Sequence, residues 1–190
     1  MYHMKAKISI VVLGIIACIV GLIYIQSPTK AETVVYDGGK RPRVLDKWAV
    51  GGSVTGTTTE TSIRSYTIPG GTIKVGDVLR ITAAWSWTNN ANTKTPRVRI
   101  GTSTGATGVT YISQQQTTNF CIKGQYDVYF RAASSQLGVQ GTGGSAGWSA
   151  GSAQVTSTLD ENSAIVVDFT GQDAVATDST TLEGYTIELM

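Results

Sequence analysis

The chain opens on an apolar run and then changes period. Ile8 to Ile25 carries no charge. At about 1.5 Å per residue a helix of that length reaches about 27 Å, enough for a bilayer core. From about Leu45 onward the apolar positions recur every second residue. Leu79, Ile81, Ala83, Trp85 and Trp87 alternate with Val78, Arg80, Thr82, Ala84 and Ser86. Val98 and Ile100 alternate with Arg97 and Arg99, and Tyr126, Val128 and Phe130 with Asp127, Tyr129 and Arg131. Ile165, Val167 and Phe169, then Tyr185, Ile187 and Leu189, repeat the pattern. A period of two with one apolar face predicts half-buried strands. Residues 63–68, 109–113 and 136–140 are shorter candidates.

The gaps carry turn chemistry: Pro69-Gly70-Gly71, Gly76-Asp77, Asn89 to Asn92, Gly105 to Gly108, Gly141 to Gly144, and Asp160-Glu161-Asn162. No stretch after Ala31 shows a convincing 3.6 period. Short strands at such spacing predict an all-β fold, a single antiparallel jelly-roll-like β-sandwich, preceded by one N-terminal apolar helix. The organisation reads as 1–26 hydrophobic anchor or signal segment, 27–44 tether broken by Pro28, Gly38-Gly39 and Pro42, and 45–190 sandwich domain.

The N-terminal run admits three readings. Lys5 and Lys7 ahead of it, and Thr29-Lys30-Ala31 after it, fit a cleaved signal peptide. Ile15-Ile16-Ala17-Cys18 fits a lipoprotein signal, although apolar residues continue past the Cys. An uncleaved signal anchor needs only length and apolarity, and Ile8, Val12, Ile16, Ile19, Leu22 and Ile25 would carry it. Lys30, Lys40, Arg41 and Arg43 downstream oppose simple export under the positive-inside rule. A viral membrane would remove that conflict.

Composition sharpens the picture by subtraction. Only 15 % of residues are charged, against about 25 % in an average domain. The one His is His3, outside the folded part. Gly147-Trp148-Ser149-Ala150-Gly151 matches a nucleophile elbow, but no helix follows and no His base is present in the domain. Ser27-Pro28-Thr29-Lys30 fits S-x-x-K only as a pattern inside the tether. Gly141-Thr142-Gly143-Gly144 lacks the βαβ setting and the Lys of a phosphate loop. No enzymatic activity and no cofactor are expected.

For a metal, Cys121 alone cannot assemble a zinc site, and it reads as a small buried hydrophobe. Asp168, Asp173 and Asp178 recur every five residues without forming a calcium-loop pattern, so no metal is assigned. Asp160 and Glu161 read as a solvated turn and not as a catalytic pair.

Charge is unevenly placed. After Arg131 there is no Lys or Arg, but there are seven acids, from Asp160 to Glu188. Basic and acidic halves would neutralise each other side by side within one chain or between subunits, or form a solvated mixed surface. No basic cluster of the kind nucleic acid requires is visible. Trp85 and Trp87 share a face with Leu79 and Ile81 and read as core. Trp148, in a Gly-rich loop, and Tyr129, on the polar side of its strand, are the candidate contact residues.

Tyr66-Thr67-Ile68-Pro69-Gly70-Gly71-Thr72, Val75 to Ile81, Asn92 to Thr95 with Arg97 to Ile100, and Asp178 to Leu189 together resemble β-rich domains of bacteriophage virion proteins, especially tail-fibre and spike heads. The likeness spans roughly residues 62–189. It implies a virion structural protein, often a homotrimer, with no enzymatic site to carry over. A fibre head follows a long shaft, whereas this domain follows an apolar segment, which favours a membrane-anchored spike or capsid-associated protein. The expected partners are further copies of the chain, other virion proteins, a membrane through the N-terminal helix, and a host-surface glycan. The expected location is the virion, membrane-associated, or secreted if the segment is cleaved. The alternative is an exported bacterial carbohydrate-binding or adhesin module.

Overall fold

A computed structural model of the chain describes residues 42–105, 107–139 and 154–190. The chain divides into two units, Met1–Gly38 and Gly39–Met190, and all described residues belong to the second. The apolar run from Ile8 to Ile25, with all six anchor positions, lies outside the described residues, as do Trp148 and Ser149. Among the described residues no helix is long and apolar enough to cross a membrane.

The described unit is all-β and antiparallel. Eleven strands run β1 (Arg43–Trp48), β2 (Gly52–Thr55), β3 (Thr61–Ile68), β4 (Val78–Trp87), β5 (Arg97–Gly101), β6 (Val109–Ser113), β7 (Cys121–Ala132), β8 (Ser135–Val139), β9 (Gln154–Ser157), β10 (Ile165–Gly171) and β11 (Ser179–Leu189). One sheet has the order β1-β11-β4-β7-β8-β9, with β2 also paired to β11. The second has the order β3-β10-β5-β6. The chain crosses repeatedly from one sheet to the other, and the core forms between the two inner faces.

The period-two pattern decides which side chains enter that core. In β4, Leu79, Ile81, Ala83, Trp85 and Trp87 are all buried, as expected. Val98, Ile100, Ile165, Val167 and Phe169 meet them from the second sheet. Phe169 sits at the centre, stacked on Tyr185 with ring centroids 4.3 Å apart and tilted against Trp85 at 6.3 Å.

Alternation breaks in β11 and in β10, each for a local reason. In β11, Thr180 and Leu182 point inward, and so do Tyr185 and Ile187, three residues later. A bulge between Leu182 and Gly184 inserts the extra residue and resets the phase. Gly184 fits there because a Cβ would lie 2.7 Å from the Trp48 carbonyl oxygen. In β10 every residue is buried. Its outer face is covered as well, since Asp168 there accepts from the Ser62 hydroxyl and from the Gly105 N–H at 2.9 Å.

Cys121 departs from expectation. It is exposed, because the alternation of β7 places it on the outward face with Lys123, Gln125 and Tyr129, while Ile122 turns inward.

The far edge is closed by polar groups. The Tyr111 hydroxyl of β6 meets Ser157 Oγ at 2.5 Å, and Ser157 donates to Gln136 Oε1 at 2.7 Å. Gln136 also bonds both backbone groups of Leu159 at 2.8 Å. A fully buried Gln thus has its carbonyl and amide groups satisfied, and the β8–β9 hairpin is tied to the opposite sheet.

Candidate functional site

The outer face of the larger sheet carries a shallow groove of about 540 Å³. Its floor is small because of the strand pattern. Thr82 and Ala84 are the outward residues of β4, and Gly184 at the β11 bulge contributes no side chain. Lys47 and Trp48 at the end of β1 line one side, and Lys123 of β7 the other. Trp48 is held in place from two directions. Tyr185 lies 6.1 Å from it, and the Arg64 guanidinium sits 5.5 Å from its ring centroid. Beneath, the Tyr185 hydroxyl donates to Asp46 Oδ2 at 2.5 Å. Burial, together with the Asp46 carboxylate, pushes the Tyr185 phenol up to about 12, so it stays protonated.

The chemistry of this groove is that of a binding surface. The side chains of Lys47, Lys123, Thr82 and Thr186 line it, whereas the Trp48 indole turns to the inner face, beside Tyr185. No carboxylate, thiol or imidazole is among the lining groups.

Two ion networks lie elsewhere and are structural in form. Arg80 holds Asp127 through Nε and Nη2, at 2.9 and 3.2 Å. At the smaller sheet, Arg99 grips Glu60 with Nε and Nη2, at 2.6 and 2.7 Å, and Arg97 adds a contact at 3.1 Å.

The structure separates the residues that the sequence singled out. Tyr129 is 40 % exposed and lies on the outward face of β7. Six positions separate it from Lys123, about 20 Å along an extended strand, so it does not line the groove. Asp160 and Glu161 point apart: Asp160 caps Asn162 and Ser163, whereas Glu161 accepts from the Ser134 N–H. Of the three regularly spaced aspartates, Asp173 and Asp178 converge, and the cation they face is the Lys94 ammonium. Among the described residues no group of His, Cys, Asp and Glu has the form of a metal site. Trp48 and Lys47 were missed by pattern reading, because a strand of six residues holding two outward charges shows little alternation. Their one signal is an aromatic-cation pair just ahead of Gly51-Gly52.

No protein-family model matches the chain, and no curated protein matches it. Among solved structures, two of infectious bursal disease virus are similar. The Gt strain structure aligns at a TM-score of 0.31 and 11 % identity, over 80 % of this chain and 34 % of that one. The Gx strain structure aligns at a TM-score of 0.31 and 10 % identity, over 80 % of this chain and 41 % of that one. The chain thus spans less than half the length of either.

Proposed function

We propose that this chain is a non-enzymatic structural protein of a bacteriophage virion, a membrane-anchored spike or fibre head or a capsid-associated protein, that serves assembly or host attachment. The observation that carries the reading is the strand order. Within the larger sheet, β2-β11-β4-β7 face β3-β10-β5-β6, and these eight strands change sheet at every step along the chain except from β5 to β6. This is the order of a jelly roll, two nested Greek keys, an architecture of viral capsid and lectin domains. Added strands, β1 at one edge and β8–β9 at the other, widen one sheet. The apolar run at the N-terminus supports membrane association, and the sequence likeness to fibre and spike heads supports a trimer.

The test is the mass of the full chain in mild detergent. A species at three times the 20.1 kDa chain mass is expected. A strict monomer at high concentration would sink the oligomeric virion reading.

A second reading, an exported bacterial carbohydrate-binding or adhesin module, is favoured by the groove between Lys47 and Lys123, because ammonium groups beside hydroxyls suit an acidic sugar. Trp148 and Tyr129 are its other candidate contacts. Glycan-array binding that falls on Lys123→Ala or Trp148→Ala would favour this reading, and an array without hits would remove it.

A further inference from the structure

Lys94 is fully buried, although it lies in the loop between β4 and β5. Its backbone is pinned on both sides. The Lys94 N–H donates to the Gln116 carbonyl at 2.8 Å and its carbonyl accepts from the Gln116 N–H at 2.9 Å. The side chain then folds back on its own loop. Nζ donates to Asn90 Oδ1 and to the Asn92 carbonyl, the latter at 2.9 Å. The Asp178 carboxylate bridges the same two side chains: Oδ1 accepts from Asn90 Nδ2 at 2.7 Å, and Oδ2 lies 3.5 Å from Lys94 Nζ.

Behind Asp178 stands a second buried acid. Asp173 is fully buried, accepts from the Thr180 hydroxyl at 2.6 Å, and keeps its Oδ2 without a hydrogen-bond partner. Burial, and then the neighbouring Asp178 charge, push the Asp173 carboxyl upward. A buried amine, a carboxamide within its hydrogen-bonding reach, and a carboxylate touching both have the parts of an intramolecular acyl transfer. The amine is the nucleophile, the carboxamide carbon the electrophile, and the carboxylate the proton carrier.

We propose that Lys94 and Asn90 join in an autocatalytic isopeptide bond, with Asp178 as the proton carrier. Asp178 first takes the proton of the Lys94 ammonium, and Nζ, now the free amine, adds to Asn90 Cγ. The Cγ–Nζ bond forms and the Cγ–Nδ2 bond breaks. Asp178 passes that proton to Nδ2 and takes up the one that Nζ loses on acylation, and Nδ2 leaves as ammonia. Nothing is oxidised or reduced, and no co-reactant is consumed. Burial serves the reaction twice, by excluding water from the acyl centre and by holding the amine against the carboxamide at high effective concentration. The product ties the β4–β5 loop into a covalent ring beside the strand that carries Asp178's neighbours, Ser179 and Thr180.

The full chain, purified, denatured and digested with trypsin, tests this. Trypsin cuts after unmodified lysine, so without the bond it yields a peptide from Ile81 to Lys94. With the bond, it yields a peptide from Ile81 to Arg97, uncut at Lys94 and about 17 Da lighter through the loss of ammonia. In Asp178→Asn the ordinary cleavage and mass return. Cleavage at Lys94 with the sequence mass in the wild-type chain would overturn the proposal. So would a lighter peptide that still ends at Lys94, since that product is a succinimide at Asn90 or Asn92. A bond that persists in Asp178→Asn would overturn the role given to Asp178. The wild-type digest decides the bond by itself if the variant does not fold.

Discussion

Replacing Glu60 by Gln removes one negative charge from a place where three partners converge. Arg99 donates two hydrogen bonds, Thr170 donates a third, and Arg97 lies 3.1 Å away. The side chains are 14–17 % exposed, so the site lies between a surface pair and a buried one. Exposed pairs contribute about 0–1 kcal/mol, and breaking a fully buried pair costs about 3–5 kcal/mol. Gln keeps one acceptor oxygen but leaves two adjacent guanidiniums without a counter-charge. The expected loss is therefore about 2–3 kcal/mol at pH 7, or roughly 5–10 °C in Tm for a domain of this size. Acid supplies a second reading of the same group. Burial alone would raise the Glu60 carboxyl, but the bonds from Arg99 and Thr170 and the charges of Arg97 and Arg99 outweigh it and hold it below the usual 4.5. A carboxyl depressed in the folded state stabilises above its unfolded value, and that contribution fades as pH falls through the folded value. The wild-type advantage over Glu60→Gln should thus be full at pH 7 and shrink progressively below pH 4.5. Urea denaturation of both proteins across pH 3–7 measures it. A difference under about 0.5 kcal/mol at pH 7, or one that does not change with pH, would refute the argument.

Three further outcomes are expected. Phe169→Ala, at the centre of the core, should cost about 3–5 kcal/mol in chemical denaturation, because it removes a ring stacked on Tyr185. Tyr185 should ionise near pH 12 in a spectrophotometric titration, and Asp46→Asn should bring it down. Its folded value lies above the unfolded one, so stability should fall as pH rises from about 10 toward 12. Cys121 should react in the native protein with a maleimide, at a site mapped by peptide mass, whereas a core cysteine would react only on unfolding.

The core was legible in the sequence where alternation was long. The residues of β4 assigned inward all turn inward, since a ten-residue strand with one apolar face has one stable register. Short and polar strands were illegible. β2 spans Gly52–Thr55 and β9 spans Gln154–Ser157, and four residues with a single Val among small or polar ones give no period to detect. The β11 bulge also hid a signal, because Leu182 and Tyr185 fall on opposite phases until Gly184 resets them. Cys121 misled by type, since sulfur chemistry says nothing about which face of β7 a residue occupies. The groove was harder still. Its floor is defined by what is missing, Ala84 and Gly184, and its walls come from β1 and β7, separated by two intervening strands. The Lys94 cluster draws on Asn90, Asp173 and Asp178, far apart in sequence, and a loop lysine ordinarily implies solvent.

The segregation of charge along the chain has a topological consequence. β10 and β11 carry acids from the half without Lys or Arg, and both are inserted between strands of the basic half. β10 lies between β3 and β5, which sets Asp168 opposite Arg99. β11 lies between β1 and β4, which sets Glu188 opposite Arg80. Such placement neutralises the halves within one chain, at the level of cross-strand neighbours. The tighter pairs are nonetheless found inside the basic half, Arg80 with Asp127 and Arg99 with Glu60. Lys94 with Asp178 joins the two halves in a direct ion pair. Charge therefore does not need a second subunit to balance it. An interface between copies would have to be built from other surfaces, such as the exposed Phe120 and Val50 or the outward face of β7. Salt should accordingly leave a trimer intact, and dissociation of the full chain in detergent on raising ionic strength from 0.1 to about 1 M would show that this inference about its interface is wrong.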